Sequence, residues 1–357
     1  MMNTIQVALG EKTYPIYLEN GLTQNISNLL SNVNHGQRWV IISQYSLMEF
    51  FGFELLSNMK KNNYKIDYIT LPNGEAAKSI NEFNRVISSM IEMHCDRTTN
   101  IIALGGGVVG DLAGFVASSF LRGINYYQVP STLLSMVDSS IGGKTGLNIA
   151  EGKNLVGSIY QPKAVFIDPN LLHSLPNKEL ISGLGEVIKY GAIYDRNFLT
   201  DISVWLDDID SFPFNKAIKR SCQIKADIVS KDEREHGIRR ILNFGHTVGH
   251  AIEAVMGYGK IRHGEAISHG MKCAGWISKE LGLLSKSDNE YLNKIIDKLP
   301  LPSINKIQTN DLLSFIGRDK KIEDQVLNFV ALEKLGKAIT TTDVSEDLIQ
   351  KSFKVLS

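Results

Sequence analysis

Three histidines cluster late in the chain: His246 and His250 in NFGHTVGHAIE, and His263 at the head of HGEAISHGM. His246 and His250 are four residues apart, so on a helix both project from one face. That is the spacing two imidazole nitrogens need to reach one divalent ion. An isolated HxxxH pair equally suits a polar helix stripe that binds nothing. The third histidine, with Glu265 close behind it, tips the reading toward metal chemistry.

A second feature is the run Ile101-Ile102-Ala103-Leu104 leading into Gly105-Gly106-Gly107-Val108-Val109-Gly110-Asp111. It reads as a buried strand, a glycine turn and a helix start, with a formal GxGxxG at Gly105, Gly107 and Gly110. Glycine there lets backbone N–H groups approach a pyrophosphate at a helix N-terminus; a tight strand-to-helix turn is the plainer alternative. The standard Rossmann fingerprint is not met, since no acidic residue ends a strand about twenty residues later. A dinucleotide held in another way is expected. Glu75 and Lys78 follow another strand, and Glu75 could accept hydrogen bonds from sugar hydroxyls. The cations Arg122, Lys144, Lys153, Lys189, Lys225, Arg239, Lys320 and Lys321 complete the set. Several stand in glycine- or asparagine-rich settings (IGGKTGLN, EGKNLVG, GEVIKYG), which suggests close approach to an anionic ligand.

These residues need a scaffold that alternates and then turns helical. Short β-branched runs recur at Trp39–Ser43, Ile66–Leu71, Ile101–Leu104, Tyr126–Val129 and Val165–Asp168, with helical patterns such as Ile80–His94 between several of them. That alternation predicts a parallel sheet covered by helices. Beyond Asp168-Pro169, amphipathic segments dominate: Lys178–Tyr190, Lys216–Arg234, Leu242–Val255, Glu265–Leu281 and Ser287–Lys298. A hairpin is expected at Val326–Ala331 and Ala338–Thr342, and a domain break near Leu171–Ser174. The length of 357 residues suits two domains.

Composition excludes several classes. The chain is 43% hydrophobic and 21% charged with a formal net charge of zero, so no nucleic-acid partner is expected. Cys95, Cys222 and Cys273 are an odd number with no CxxC pair, so neither a disulfide framework nor a thiolate zinc site is indicated. No apolar run is long enough to span a bilayer, and the alternation at Ile5–Leu9 reads as a strand instead of a signal segment. A cytoplasmic protein with no membrane partner is expected.

Taken in order, LPNGEAAKS, GGGVVGDLAGF, VPSTLLSMVDSSIGGKTGLN, GKNLVGSIYQP, GLGEVIKYG, DEREHGIRRILNFGHTVGHAIE, HGEAISHGM and a late DKK resemble the blocks of the 3-dehydroquinate synthase family over nearly the full length. The resemblance implies an N-terminal Rossmann-like α/β NAD-binding domain at 1–172 and a mostly α-helical metal- and substrate-binding domain at 173–357. It implies zinc, with cobalt as the alternative ion, on Glu186, His246 and His263, so that His250 turns from metal to substrate or proton transfer. NAD would lie over Gly106, Gly107 and Val108, with Asp111, Glu75, Lys78, Ser131, Thr132, Asp138 and Ser139 around it and Lys144 and Lys153 near. The phosphate and carboxylate of a sugar phosphate substrate would meet Lys144, Asn154, Lys189, Lys225, Arg239, Asn243 and one of Lys320 and Lys321. The family is dimeric, which would let Arg122 reach the phosphate of a neighbouring subunit. The sequence departs from the family at Gln44, where an acidic residue near the ribose is usual, at Ser131 for threonine, and at Ser135-Met136 for Ala-Gln.

The chemistry so implied makes 3-dehydroquinate from 3-deoxy-D-arabino-heptulosonate 7-phosphate. NAD⁺ transiently oxidises a ring hydroxyl, which acidifies the neighbouring C–H and lets phosphate leave. The hydride then returns, and an aldol closure forms the carbocycle. Zinc suits the oxidation as a Lewis acid, since it lowers the pKa of bound water from about 15.7 to about 7. Phosphate itself can accept the proton, with His250 and Lys153 assisting. Two rival readings are a sister sugar phosphate cyclase and a metal-dependent NAD polyol dehydrogenase. The first should differ at Lys225, Arg239 and Asn243; the second leaves GGKTGLN and GKNLVG without a purpose.

Overall fold

The computed structural model describes residues 2–33, 38–257, 259–304, 307–322 and 327–356, without the side chains of 31–33 and 318–322. Nine strands lie in the first half: β1 (Asn3–Val7), β2 (Tyr14–Leu18), β3 (Arg38–Gln44), β4 (Lys65–Leu71), β5 (Asn100–Gly105), β6 (Asn125–Pro130), β7 (Lys144–Ile149), β8 (Gly152–Ile159) and β9 (Val165–Ile167). Seven of them form one sheet in the order β1-β2-β9-β6-β5-β3-β4. Pairing is parallel throughout except for the β1–β2 hairpin. The central strands read as continuous apolar runs because both faces are covered: Trp39 to Ile42 and Ile101 to Leu104 are all essentially inaccessible. One face packs Val40, Ile42, Ile101 and Ala103 against Val86, Met90, Val109, Leu112 and Val116 of helices Ile80–Glu92 and Gly107–Ser119.

The strand order places the glycine loop. From β3 the chain adds β4 on one side, then returns to add β5 on the other. The order therefore reverses between β3 and β5, and open α/β sheets take their ligands outside the carboxyl ends of the strands at such a switch point. Gly105 is the last residue of β5.

The stretch from Lys144 to Ile159, read above only as a setting for cations, is an antiparallel hairpin of β7 and β8. The residues after Pro176 are mostly helical, with helices Asn177–Tyr194, His246–Met256 and His263–Glu280 at the centre. The expected late hairpin is β10 (Phe329–Lys334) on β11 (Lys337–Thr341); Val326, included in that expectation, lies outside the described residues.

The chain divides into two compact units, Met1–Leu175 with Lys225–Glu233, and Pro176–Ile224 with Arg234–Ser357. A single cut near 172 cannot express this, because the end of helix Phe214–Lys231 is tied to the first unit. Lys225 donates to the Asp138 carboxylate at 2.7 Å, Ser230 Oγ accepts the Ala8 amide at 2.8 Å, and Glu233 accepts from Gln161 at 3.1 Å. Among the described residues, no helix is long and apolar enough to cross a membrane.

Candidate active site

In the helical unit, three helices bring the histidines to one buried carboxylate. The chain turns at Gly245 (φ +81°), a left-handed conformation that favours glycine. His246 therefore opens its helix instead of sitting inside one, which corrects the expected start at Leu242. Glycines then let the helix backbones touch. A Cβ at Gly264 would lie 1.7 Å from the Ser182 carbonyl oxygen, and one at Gly270 would lie 2.0 Å from that of Gly245. The Gly264 amide also donates to Ser182 Oγ at 3.0 Å. A Cβ at Gly185 would likewise lie 2.4 Å from the Gly264 carbonyl oxygen, so these contacts fix the neighbours of the site: Gly185 precedes Glu186 and His263 precedes Gly264.

Glu186 is fully buried, and its Oε1 faces His263 Nε2 at 3.6 Å and His246 Nε2 at 3.9 Å. The ligand-capable nitrogens of His246, His250 and His263 lie within 4.8 Å of one another. Lys189 forms an ion pair with Glu186 Oε2 and is itself buried. The other oxygen, Oε1, has no hydrogen-bond partner among the described residues. A buried carboxylate in that state is costly unless a cation faces it.

Burial, with the charges of Lys189, His250 and His263, pushes His246 well below the ordinary imidazole value of 6.5. That keeps the ring neutral, as a metal ligand must be. Burial also works against the His263 cation, but the hydrogen bond and charge of Glu253, with the charge of Glu186, outweigh it and hold His263 above 6.5. His250 is the exposed member of the trio. Glu265, which strengthened the metal reading in sequence, does other work: its Oε2 accepts the Arg262 amide at 2.8 Å and caps the helix.

The α/β unit gathers a second set. Gly106 is the N-cap of helix Gly107–Ser119 and has no side chain to satisfy the first amides. A Cβ at Gly106 would meet Thr132 at 3.2 Å, and one at Gly107 would meet Ser139 Oγ at 3.0 Å. Gly110, the last glycine of the motif, serves internal packing: a Cβ there would lie 2.8 Å from the Gln128 amide oxygen. Thr132 and Ser135 cap each other, Thr132 N donating to Ser135 Oγ at 3.1 Å and Ser135 N to Thr132 Oγ1 at 3.1 Å. This gives the departure at Ser135 a physical purpose; nothing explains Met136 beyond its burial. Ser131 Oγ is buried with no hydrogen-bond partner among the described residues.

Beside the loop, Lys78 Nζ donates to Asp111 Oδ2 at 2.5 Å and also to Asn154 Oδ1. Burial raises the Asp111 carboxyl above its ordinary range against the pull of that lysine. Asn148, which sequence reasoning missed, ties the hairpin in. It donates to Glu75 Oε1 at 2.8 Å and accepts the Asn154 amide at 3.0 Å. Gln44, at the end of β3, donates to the Pro72 carbonyl at 3.3 Å.

The remaining candidates are more dispersed. Lys144 is exposed and Lys153 half-buried, both on the β7–β8 hairpin. Arg239 is buried in the 3-10 turn Ile238–Asn243, where Asn243 donates to Glu235 Oε1 at 2.7 Å. Arg122 is exposed with φ +71°. The helix Gly107–Ser119 separates it from the glycine loop by roughly 20 Å. The side chains of Lys320 and Lys321 lie outside the described residues. Of the residues missed, Glu253 was the most readable, because it follows His246 by two helix turns.

The family model for the 3-dehydroquinate synthase N-terminal region matches residues 68–182, and that for the C-terminal region matches residues 183–322. The chain belongs to the 3-dehydroquinate synthase family. A 3-dehydroquinate synthase of Prochlorococcus marinus (strain MIT 9215) is 42% identical, with 98% of each chain covered. Among solved structures, a 2-deoxy-scyllo-inosose synthase complexed with carbaglucose-6-phosphate, NAD⁺ and Co²⁺ matches with a TM-score of 0.88 and 25% identity over 99% of each chain. A 2-epi-5-epi-valiolone synthase from Streptomyces hygroscopicus subsp. jinggangensis 5008, with NAD⁺ and Zn²⁺ bound, shares the fold with a TM-score of 0.87 at 23% identity over 98% of each chain. Both 3-dehydroquinate synthase models meet at residues 182 and 183, just before the Glu186 of the buried cluster.

Proposed function

We propose that the chain is a phosphorus–oxygen lyase that converts 3-deoxy-D-arabino-heptulosonate 7-phosphate into 3-dehydroquinate and phosphate, using NAD and a divalent ion, zinc or cobalt. The observation that carries this reading is the convergence of His246 and His263 on the buried Glu186, in a chain that matches the family nearly end to end. Two imidazoles and one carboxylate suit a catalytic zinc site, which keeps positions open for substrate oxygens. The glycine loop suits a dinucleotide: it lies at the switch point of the sheet and ends in an uncapped helix N-terminus.

When bound, the ion supplies Lewis acidity and NAD a reversible hydride acceptor. The chain's own groups do the rest. Glu186, His246 and His263 hold the ion, and the buried Lys189 keeps the Glu186 carboxylate oriented from its other oxygen. The exposed His250 is assigned to substrate and proton transfer, and Arg239 and Asn243 of the same unit to substrate anions. On the α/β unit, Gly106, Gly107 and Val108 take the pyrophosphate, with Glu75, Lys78, Asp111, Ser131, Thr132, Asp138 and Ser139 around the nucleotide. Lys144, Lys153, Asn154 and Lys225 are assigned to anion recognition there. A homodimer belongs to the same reading, with the exposed Arg122 offered to a neighbouring copy.

The test is turnover with substoichiometric NAD⁺. Purified protein, Zn²⁺ and the heptulosonate phosphate should release phosphate far in excess of NAD⁺ and yield the carbocycle. Lasting NADH accumulation with a simple polyol would favour a dehydrogenase instead, and no carbocycle would refute the assignment.

A further inference from the structure

Glu253 has no part in the roles assigned above, yet it is the group that holds His263. It lies on helix His246–Met256, seven residues after His246 and three after His250, so it leaves from the histidine face. It is largely buried. The Nδ1 of His263 lies 2.9 Å from Glu253 Oε2. An ionised carboxylate only accepts, so the hydrogen belongs on Nδ1. The Nε2 lone pair is then left toward Glu186 Oε1, 3.6 Å away.

His246 reaches the same arrangement by a different route. Its Nδ1 lies 3.2 Å from the Phe244 carbonyl, and its Nε2 faces the same Glu186 oxygen at 3.9 Å. Both rings thus carry Nδ1–H toward an acceptor and present Nε2 to one point. His246 takes its acceptor from the backbone just before its own helix. His263 is the first residue of its helix, with a side chain 30% exposed, and takes its acceptor from another helix.

We propose that Glu253 is the positioning residue of the metal centre: its carboxylate fixes the Nδ1–H tautomer of His263, aims Nε2 at the ion, and through its charge strengthens that nitrogen as a donor. The inference rests on the reading of Glu186, His246 and His263 as the ligand set. Carboxylates behind ligating histidines act in this way in general.

The test uses full-length, metal-free protein and measures Zn²⁺ affinity by competition with a chromophoric chelator. Wild type is compared with Glu253→Gln, Glu253→Ala and His263→Ala. Glu253→Ala should weaken binding roughly 10–100-fold. Glu253→Gln keeps an oxygen acceptor but loses the charge, so its loss should be smaller, and His263→Ala should lose most. Nitrogen-15 shifts of His263, read without metal at a pH above its raised pKa, where the shifts no longer change with pH and the ring is neutral, report the tautomer directly. Wild type and Glu253→Gln should hold the Nδ1–H form, and Glu253→Ala a mixture; a merely structural role would leave this unchanged. Wild-type affinity and tautomer in Glu253→Ala, with binding lost in His263→Ala, overturn the proposal and leave the ligand set standing. Undiminished affinity in His263→Ala overturns the ligand set and the proposal with it. If Glu253→Ala does not fold, Glu253→Gln decides: a several-fold loss supports the proposal and unchanged affinity refutes it.

Discussion

The histidine cluster and the glycine loop are built on opposite plans. The cluster is made of side chains held by other side chains. Glu186 and Lys189 are buried together, and His263 leans on Glu253. Its helices approach so closely that glycine is obligatory where backbone meets backbone. The loop is made of backbone, with small hydroxyl residues around it, and its glycines at 106 and 107 face side chains that can yield. A metal centre must be rigid to aim three ligands within tenths of an ångström, whereas a helix N-terminus presents its amides wherever the helix starts.

The largest effect should separate two histidines that look alike in sequence. His263→Ala should abolish tight metal binding, with a loss beyond the ~100-fold typical of outer-shell changes, while His250→Ala keeps the ion and loses turnover. Metal analysis after dialysis, beside phosphate release, would show it. Next comes the glycine contrast. Gly264→Ala drives a methyl to within 1.7 Å of a carbonyl oxygen and should destabilise by about 3 kcal/mol or more. Gly107→Ala meets only a serine hydroxyl at 3.0 Å and should change stability by less than about 1 kcal/mol. Its effect should appear as weakened NAD binding. Denaturant melts with nucleotide titration would check both, and equal destabilisation would erase the contrast.

Acid should act on the cluster through its histidines. As the proposed ligand, His263 would bind metal only as the neutral ring, and its pKa is raised above 6.5, so proton competition should begin on the alkaline side of that value. Metal affinity should fall as pH drops through this range. In the metal-free fold the two histidines act in opposite senses: His246, held well below 6.5, makes stability fall as pH drops below that value, and His263 does the reverse. A raised folded pKa gives stability that is present below the unfolded value and lost as pH climbs through the folded one. Affinity measurements and melts across pH would test the opposed trends. The smallest effect belongs to Ser135→Ala, which removes one side of the cap with Thr132 and should cost about 1 kcal/mol.

Much of the fold was legible because periodicity reports burial. The apolar runs at 39–42 and 101–104 are central strands covered on both faces, and the amphipathic segments are helices. Local spacing also found the three histidines. It could not find Glu186, which lies on a separate helix and came from resemblance alone. Nor could it show that Lys225–Glu233 belongs with the first unit, a matter of individual tethers such as Lys225 to Asp138. Glu265 misled because proximity in sequence does not distinguish a helix cap from a ligand. Glu253 was readable from its helical phase, but a carboxylate on a histidine face has no local signature that tells one hydrogen-bonded to an imidazole, as here, from a solvated charge.

The central claim is that the ligand set is Glu186, His246 and His263, with His250 outside it. Anomalous scattering at the zinc edge from a crystal of the zinc-loaded protein measures this directly. The account predicts one peak about 2.0–2.2 Å from His246 Nε2, His263 Nε2 and a Glu186 oxygen. A peak ligated by His250, with Glu186 left on Lys189 alone, would contradict it.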